Sequence, residues 1–235
     1  MAPTHVTVFS RDSLPEIFLT PMFAGLANTD VEALLRGSRV EVFGDRQLLF
    51  SERDEAKDLF LMLDGHVEIF IRQGRRRIVV EVAKKLSILG ESALFSDGRH
   101  PHWARSVGHA KVLTIPAAPI IEAMDQNFDL ALRMLRTQSI RLRGLVEQIS
   151  RLKLKSTAQR LAGFLLGLTD KNEGPVSVRF PYDKRLAAEA LGMTAESLSR
   201  ALTRLAMIGV DSRSENMVFI PDLRALQQFV SDEGG

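Results

Sequence analysis

The sequence predicts an α+β chain in three parts: an N-terminal antiparallel β-roll, a long helix and a C-terminal winged helix-turn-helix. Three observations carry this. Residues 39–115 hold short β-rich runs separated by turns, residues 125–155 hold a proline-free stretch with apolar residues at heptad spacing, and Lys184 to Leu205 reads as two helices about a sharp turn. A chain of 235 residues, 45% of them hydrophobic, can build one large or two modest cores.

In chain order, Leu14 to Leu19 and Thr29 to Leu35 suit short helices ahead of the roll. Within it, Leu59 to Leu63, Val67 to Ile71, Ile78 to Val82 and Val112 to Ile115 are β-rich runs bounded by turn signals such as Asp64-Gly65 and Gln73-Gly74. Many short strands closed by tight turns imply a sandwich or rolled barrel.

From Asp125 to Lys155 the only glycine is Gly144, and Phe128, Leu135, Leu142 and Ile149 recur every seven residues, with Ala131, Leu145 and Leu152 three further on. That spacing lays one apolar seam along a helix flanked by Arg133, Arg136, Arg141, Arg143, Arg151, Lys153 and Lys155. Such a helix spans about 40 Å at roughly 1.5 Å per residue, more than a small domain covers. A second copy is the expected cover, with Leu135, Leu142, Leu145, Ile149 and Leu152 at the dimer interface.

Ser156 can cap the next helix, so a hinge is expected near Leu154 to Thr157. Val176 to Phe180 alternates as a strand, Pro181 stops it, and Asp183 can cap a helix whose Leu186, Ala187, Ala188 and Leu191 face inward. Gly192 stands where the chain must turn at positive φ. Thr194 can cap the second helix, whose stripe is Leu198, Ala201, Leu202 and Leu205. Its other face carries Glu196, Ser197, Ser199, Arg200 and Arg204. Those residue types suit the major groove: arginine grips guanine O6 and N7, glutamate accepts from cytosine N4, and serine meets base edges or phosphate. Ile208-Gly209-Val210 and Met217 to Ile220 flank a polar turn and suggest a hairpin wing, with Arg213 at its tip and Lys184 also within reach of phosphate. The expected domains are 1–124 for the effector-sensing β-roll with its short N-terminal helices, 125–155 for the dimerisation helix and 156–235 for DNA binding.

Composition bounds the chemistry. Charge is nearly balanced, 31 basic against 29 acidic residues, so no broad cationic surface marks a nucleic-acid binder. Without cysteine there is no disulfide, no thiolate zinc site and no cysteine-ligated iron–sulfur cluster. The N-terminus lacks a signal pattern and no apolar stretch reaches membrane-spanning length, so a soluble, cytoplasmic protein with no membrane partner is expected. No GxSxG, P-loop, HExxH or dinucleotide glycine fingerprint occurs, and an enzyme is not expected.

The order of roll, long helix and winged helix resembles the CRP/FNR superfamily of bacterial transcription regulators over nearly the whole chain. Asp64-Gly65 with Val67-Glu68-Ile69 resembles part of a cyclic-nucleotide-binding-like jelly roll. Gly90-Glu91-Ser92-Ala93-Leu94-Phe95, followed by Pro101, Ala104 and Ser106, is similar to the segment that wraps a cyclic nucleotide's phosphate. Glu196-Ser197-Leu198-Ser199-Arg200 resembles the Glu-x-x-Ser-Arg recognition pattern of the FNR branch. The resemblance implies a homodimer whose Glu196, Ser199 and Arg200 read an inverted repeat such as TTGAT-N4-ATCAA, with contact to RNA polymerase. It also implies an effector between the roll and the long helix, at Gly90, Glu91, Ser92, Ala93, His100, His102, Arg105, Leu142, Leu145 and Val146.

The chain departs from the cyclic-AMP binders where they place Arg-Ser: it has His100-Pro101-His102-Trp103, with Arg105 a few residues late. Leu145 and Val146 stand where those binders offer hydroxyl groups to adenine. A CRP-type response to cyclic nucleotide is therefore the alternative reading. The chain is more similar to the cysteine-free DNR/NNR group, which implies haem and nitric oxide, with His66, His100, His102 and His109, or Met62, as axial candidates. The effector itself stays open, and no facial triad accompanies the His100/His102 pair. A different class of reading is a β-roll interaction module whose long helix pairs with a partner protein without DNA readout. On the regulator reading, the effector shifts populations about the hinge and resets the spacing of two recognition helices.

Overall fold

A computed structural model of the chain describes residues 3–8, 17–18, 20–74, 76–94, 96–212 and 216–231, apart from the side chains of 137, 141, 148 and 151–153. It divides into two compact units, residues 1–142 and 143–235.

The first unit is an antiparallel roll. Its strands are β1 (His5–Val8), β2 (Arg39–Phe43), β3 (Leu48–Phe50), β4 (Asp58–Gln73), β5 (Arg76–Ala83), β6 (Ile88–Leu89) and β7 (Trp103–Pro116). The path runs β1-β2-β7-β4-β5, with β3 on β7 and β6 on β4. Helix α1 (Asn28–Leu34) lies between β1 and β2, the one-turn α2 (Glu91–Leu94) interrupts the roll further on, and α3 (Ala117–Gln126) leaves it. Of the expected helix at Leu14 to Leu19, only residues 17 and 18 are described, and the rest lies outside the described residues.

Strand β4 explains the unbroken apolar run in the sequence, because both of its faces are covered. Leu59, Leu61 and Leu63 join Leu113, Ile115, Ile17, Met22, Phe23, Ile120 and Met134 in one core. Phe60, Met62, Val67 and Ile69 join Phe43, Phe50, Leu89, Ala104 and Val112 in the other. Each such side chain removed from water contributes about 1.5–3 kcal/mol. The turn expected at Asp64-Gly65 is a correction: β4 runs through it, and the register on β7 shifts between Met62 and Asp64 and again between Gly65 and His66. Gly65 has φ +77°, and a Cβ there would overlap the carbonyl oxygen of His109. Glycine here permits a bulge, not a reversal.

Helix α4 (Phe128–Leu154) is 27 residues long. It starts later than the apolar spacing suggests because Asn127 is extended (φ −133°, ψ 99°) and its side chain accepts from the backbone N–H groups of Asp129 and Leu130.

The second unit holds α5 (Thr157–Leu166), β8 (Val176–Arg179), α6 (Lys184–Ala190), α7 (Ala195–Ala206), β9 (Met217–Ile220) and α8 (Leu223–Ser231). They close over Leu161, Leu165, Phe180, Ala187, Leu198, Leu205, Ile220 and Leu226. Ser156 caps α5 in a reciprocal box, accepting from Gln159 N while its own N–H donates to Gln159 Oε1. The expected strand at Ile208-Gly209-Val210 is a second correction. Gly209 at φ +87° donates to Ala206 O and Val210 donates to Leu205 O, so this run closes α7 in a Schellman motif. Strand β9 pairs instead with β8, Val176 opposite Ile220, and touches Asp211 in a single bridge at Phe219.

Candidate nucleic-acid interface and effector cavity

The turn between α6 and α7 is built from local rules. Asp183 Oδ1 accepts from Leu186 N at 2.8 Å, which starts α6. Gly192, at φ +63°, lets the chain reverse, while Met193 N bonds Ala188 O at 2.9 Å. Thr194 Oγ1 then accepts from Ser197 N at 3.2 Å and starts α7. Leu198, Ala201 and Leu205 are buried, so Glu196, Ser199, Arg200 and Arg204 are left on the exposed side.

That exposed side is internally organised. Thr194 Oγ1 lies 3.2 Å from Glu196 Oε2 and 3.1 Å from Ser197 Oγ, and Arg200 Nη2 donates to Ser197 Oγ at 3.3 Å. The carboxylate and the guanidinium are thereby tied, through Thr194 and Ser197, to the first turn of α7. Lys184 Nζ donates to Ser212 Oγ at 2.9 Å, which ties the first turn of α6 to the segment entering the wing. Arg213 lies outside the described residues.

Sequence reasoning missed Arg160. From α5 its Nη1 donates to Leu191 O at 2.6 Å and to Gly192 O at 3.3 Å, the two carbonyls of the turn itself. No local pattern marks a contact that spans 31 residues.

In the first unit a cavity of about 210 Å³ is lined by Pro21, Met22, Glu81, Leu86, Ser87, Ile88, Glu91, Met134, Gln138 and Ile140. Of the expected effector residues it takes in Glu91, whose side chain is buried. Gly90 precedes it at φ +93°, Ala93 is buried and Ser92 is exposed. His100 is buried and stacks on Phe50 with ring centroids 3.8 Å apart, and His102 meets the same ring edge-on at 6.1 Å. Burial pushes the His100 imidazole below its ordinary pKa, the His102 charge adds to this, and Asp54 partly opposes it. Arg105 is ion-paired with Glu68 and does not line the cavity. Leu142, Leu145 and Val146 are exposed along α4, as are Leu135 and Ile149, while the side chain of Leu152 lies outside the described residues.

Haem does not fit this arrangement. None of His66, His100, His102, His109 and Met62 lines the cavity, so it offers haem no axial ligand from these candidates. Among the described residues no cluster of three or more histidine or acidic side chains could hold a metal ion, and no helix is long and apolar enough to cross a membrane.

Comparison with known proteins bears on both units. Residues 40–127 match the cyclic nucleotide-binding domain family, and residues 159–229 match the Crp-like helix-turn-helix domain. The chain belongs to the CRP/FNR superfamily. Among its superfamily relatives, the transcriptional activatory protein AadR of Rhodopseudomonas palustris is 26% identical over 204 residues, covering 84% of this chain and 81% of that one. A solved structure of a candidate cyclic nucleotide binding protein from Ruegeria pomeroyi is 29% identical, covers 94% of this chain and 99% of that one, and superposes with a TM-score of 0.70. The structure of DNR from Pseudomonas aeruginosa is 23% identical, covers 95% of this chain and 100% of that one, and has a TM-score of 0.55, a likeness of fold. As a CRP/FNR-type chain, the protein carries its DNA-binding function in the Crp-like module that contains α6 and α7.

Proposed function

We propose that the chain is a homodimeric, effector-controlled transcription regulator of the cysteine-free DNR/NNR-like kind that reads an inverted repeat of the form TTGAT-N4-ATCAA. One observation carries this reading: α7 buries Leu198, Ala201 and Leu205 and turns Glu196, Ser199, Arg200 and Arg204 outward. Arg200 takes guanine, Glu196 takes cytosine N4, and Ser199 meets a neighbouring base edge. Thr194, Ser197, Lys184, Arg204 and Arg213 hold phosphates and set register.

Dimerisation is supported by α4, on which Leu135, Leu142, Val146 and Ile149 are each more than half exposed, an apolar series that a second copy would cover. The working division is 1–124 for sensing, 125–155 for dimerisation and 156–235 for DNA. The effector is a small molecule in the cavity beside Glu91. Among the described residues lining it there is no lysine, arginine or histidine to neutralise a phosphate, which favours a ligand other than a cyclic nucleotide. The protein acts in the cytoplasm, without catalysis of its own, and hands the bound state on to RNA polymerase.

The test is a mobility-shift titration with duplexes carrying the intact or altered repeat at several salt concentrations. Binding should fall steeply with salt. Arg200→Ala should cost about 1–3 kcal/mol of discrimination, and Glu196→Ala should relax base preference more than it lowers affinity. Equal binding to all sequences would leave the interaction-module reading standing. Calorimetry with cyclic AMP tests the other alternative.

A further inference from the structure

The sheet face made by β5, β4 and β7 carries more cations than the fold needs. Strand pairing sets Glu68 opposite Arg105, Phe70 opposite Trp103, and Arg72 opposite Arg77. Alternation along β4 brings Glu68, Phe70 and Arg72 to one face. Glu68, with its side chain 3% exposed, accepts from Arg77 and from Arg105, whose Nε lies 2.7 Å away. The guanidinium carbons of Arg77 and Arg105 sit 5.8 and 5.4 Å from the Phe70 ring centre. Arg72 has no ion pair among the described residues, and its guanidinium lies 4.1 Å over the Trp103 ring. Exposed Arg76 follows on the same hairpin.

Like charges directly opposite one another in a sheet are destabilising, so Arg72 across from Arg77 works against the fold. One buried carboxylate serves two of the three guanidiniums, and the third rests on an indole. A second carboxylate, Glu52, accepts from Trp103 Nε1 at 3.4 Å. All three guanidinium carbons lie within 6 Å of the Phe70 ring centre, Arg72 at 5.9 Å, and such a cluster of planar cations suits a phosphate oxyanion. None of these residues lines the cavity beside Glu91.

We propose that Arg72, Arg77 and Arg105, beside Phe70 and Trp103, form a phosphate-binding site, taking the phosphate either of a small phosphorylated compound or of a nucleic-acid backbone. The site is separate from the helix-turn-helix and does not depend on the function proposed for it.

Trp103 is the chain's single tryptophan, so its emission reports on this face. The full-length protein is titrated with pyrophosphate and, separately, with a duplex lacking the inverted repeat, each against sodium chloride of matched ionic strength. A saturable change that the chloride control does not give is expected in at least one arm, weakened at least tenfold in Arg72→Gln. Arg72 is exposed and outside the Glu68 ion pairs, so this variant should melt no lower than the parent does. A response to pyrophosphate assigns a small phosphorylated ligand, and a response to duplex alone assigns nucleic acid. No saturable change in either arm, or equal changes in parent and variant, overturns the proposal.

Discussion

The guanidinium of Arg160 holds the carbonyl oxygen of Leu191 at 2.6 Å, and through it the last turn of α6. Nη1 also reaches Gly192 O, while Nε is buried without a hydrogen-bond partner among the described residues. A cation set against the last carbonyls of a helix is favourable, and a charged hydrogen bond contributes about 1.5–3 kcal/mol. Arg160→Met should therefore lower stability by about 2 kcal/mol in a denaturant melt. It should also weaken binding to the inverted repeat under conditions where the variant is fully folded, because the turn sets where α7 begins. Unchanged affinity in a folded variant would make Arg160 a stability residue only.

The seam on α4 offers a separate test. Leu142 is 63% exposed in the single chain, so Leu142→Glu should leave the fold and its melting temperature nearly unchanged. In a dimer the same carboxylate would be buried or crowded, and dimerisation should weaken at least tenfold, about 1.4 kcal/mol. Sedimentation should show monomer at concentrations where the parent is dimeric, with DNA affinity falling in parallel. An intact dimer with normal affinity would disconnect this face from self-association.

How much of this was legible in the sequence depends on how local each signal is. Asp183, Thr194, Ser156 and Gly192 stand in the roles expected of them because a cap or a positive-φ turn is decided within about four residues. The turn expected at Gly65 proves to be a bulge for a physical reason. Positive φ serves a turn, a bulge or a helix end equally, and only the neighbouring strand or helix settles which. The partner of β9 was equally hidden, since β8 and Ile208-Gly209-Val210 are both apolar runs and the Schellman closure of α7 withdraws the nearer one. At the candidate sites, the exposed face of α7 could be read from periodicity. Arg160 and the Glu68 ion pairs could not, being made by residues far apart in the chain.

Gly65 and Gly74 make a matched pair. Both have positive φ, +77° and +61°, but an added Cβ at Gly65 would meet the His109 backbone, whereas at Gly74 it would meet nothing within 4 Å. Gly74→Ala should cost only the left-handed backbone term, about 1–2 kcal/mol. Gly65→Ala adds a clash with a neighbouring strand and should cost clearly more, reducing the yield of folded protein. Chemical melts compare the two, and equal costs would mean that β7 yields freely at the bulge.

His100 gives the roll a pH dependence whose direction follows from burial. Its imidazole, stacked on Phe50, titrates below the value of about 6.5 that it has in the unfolded chain. Above that value both states are neutral and the group has no effect. As pH falls below it, the unfolded chain binds a proton that the native state refuses, so stability declines until the folded pKa is reached. The decline cannot exceed about 1.36 kcal/mol per pH unit for one group. His66, half-buried, is shifted the same way by burial, with Asp64 opposing and Lys84 reinforcing, so the parent alone does not isolate His100. The difference between parent and His100→Phe does. Urea melts at about pH 7.5 and 5.5 should show a smaller loss of stability on acidification in the variant, which keeps an aromatic ring on Phe50 but cannot take up a proton. Equal losses in both would mean that the His100 site admits the charged ring.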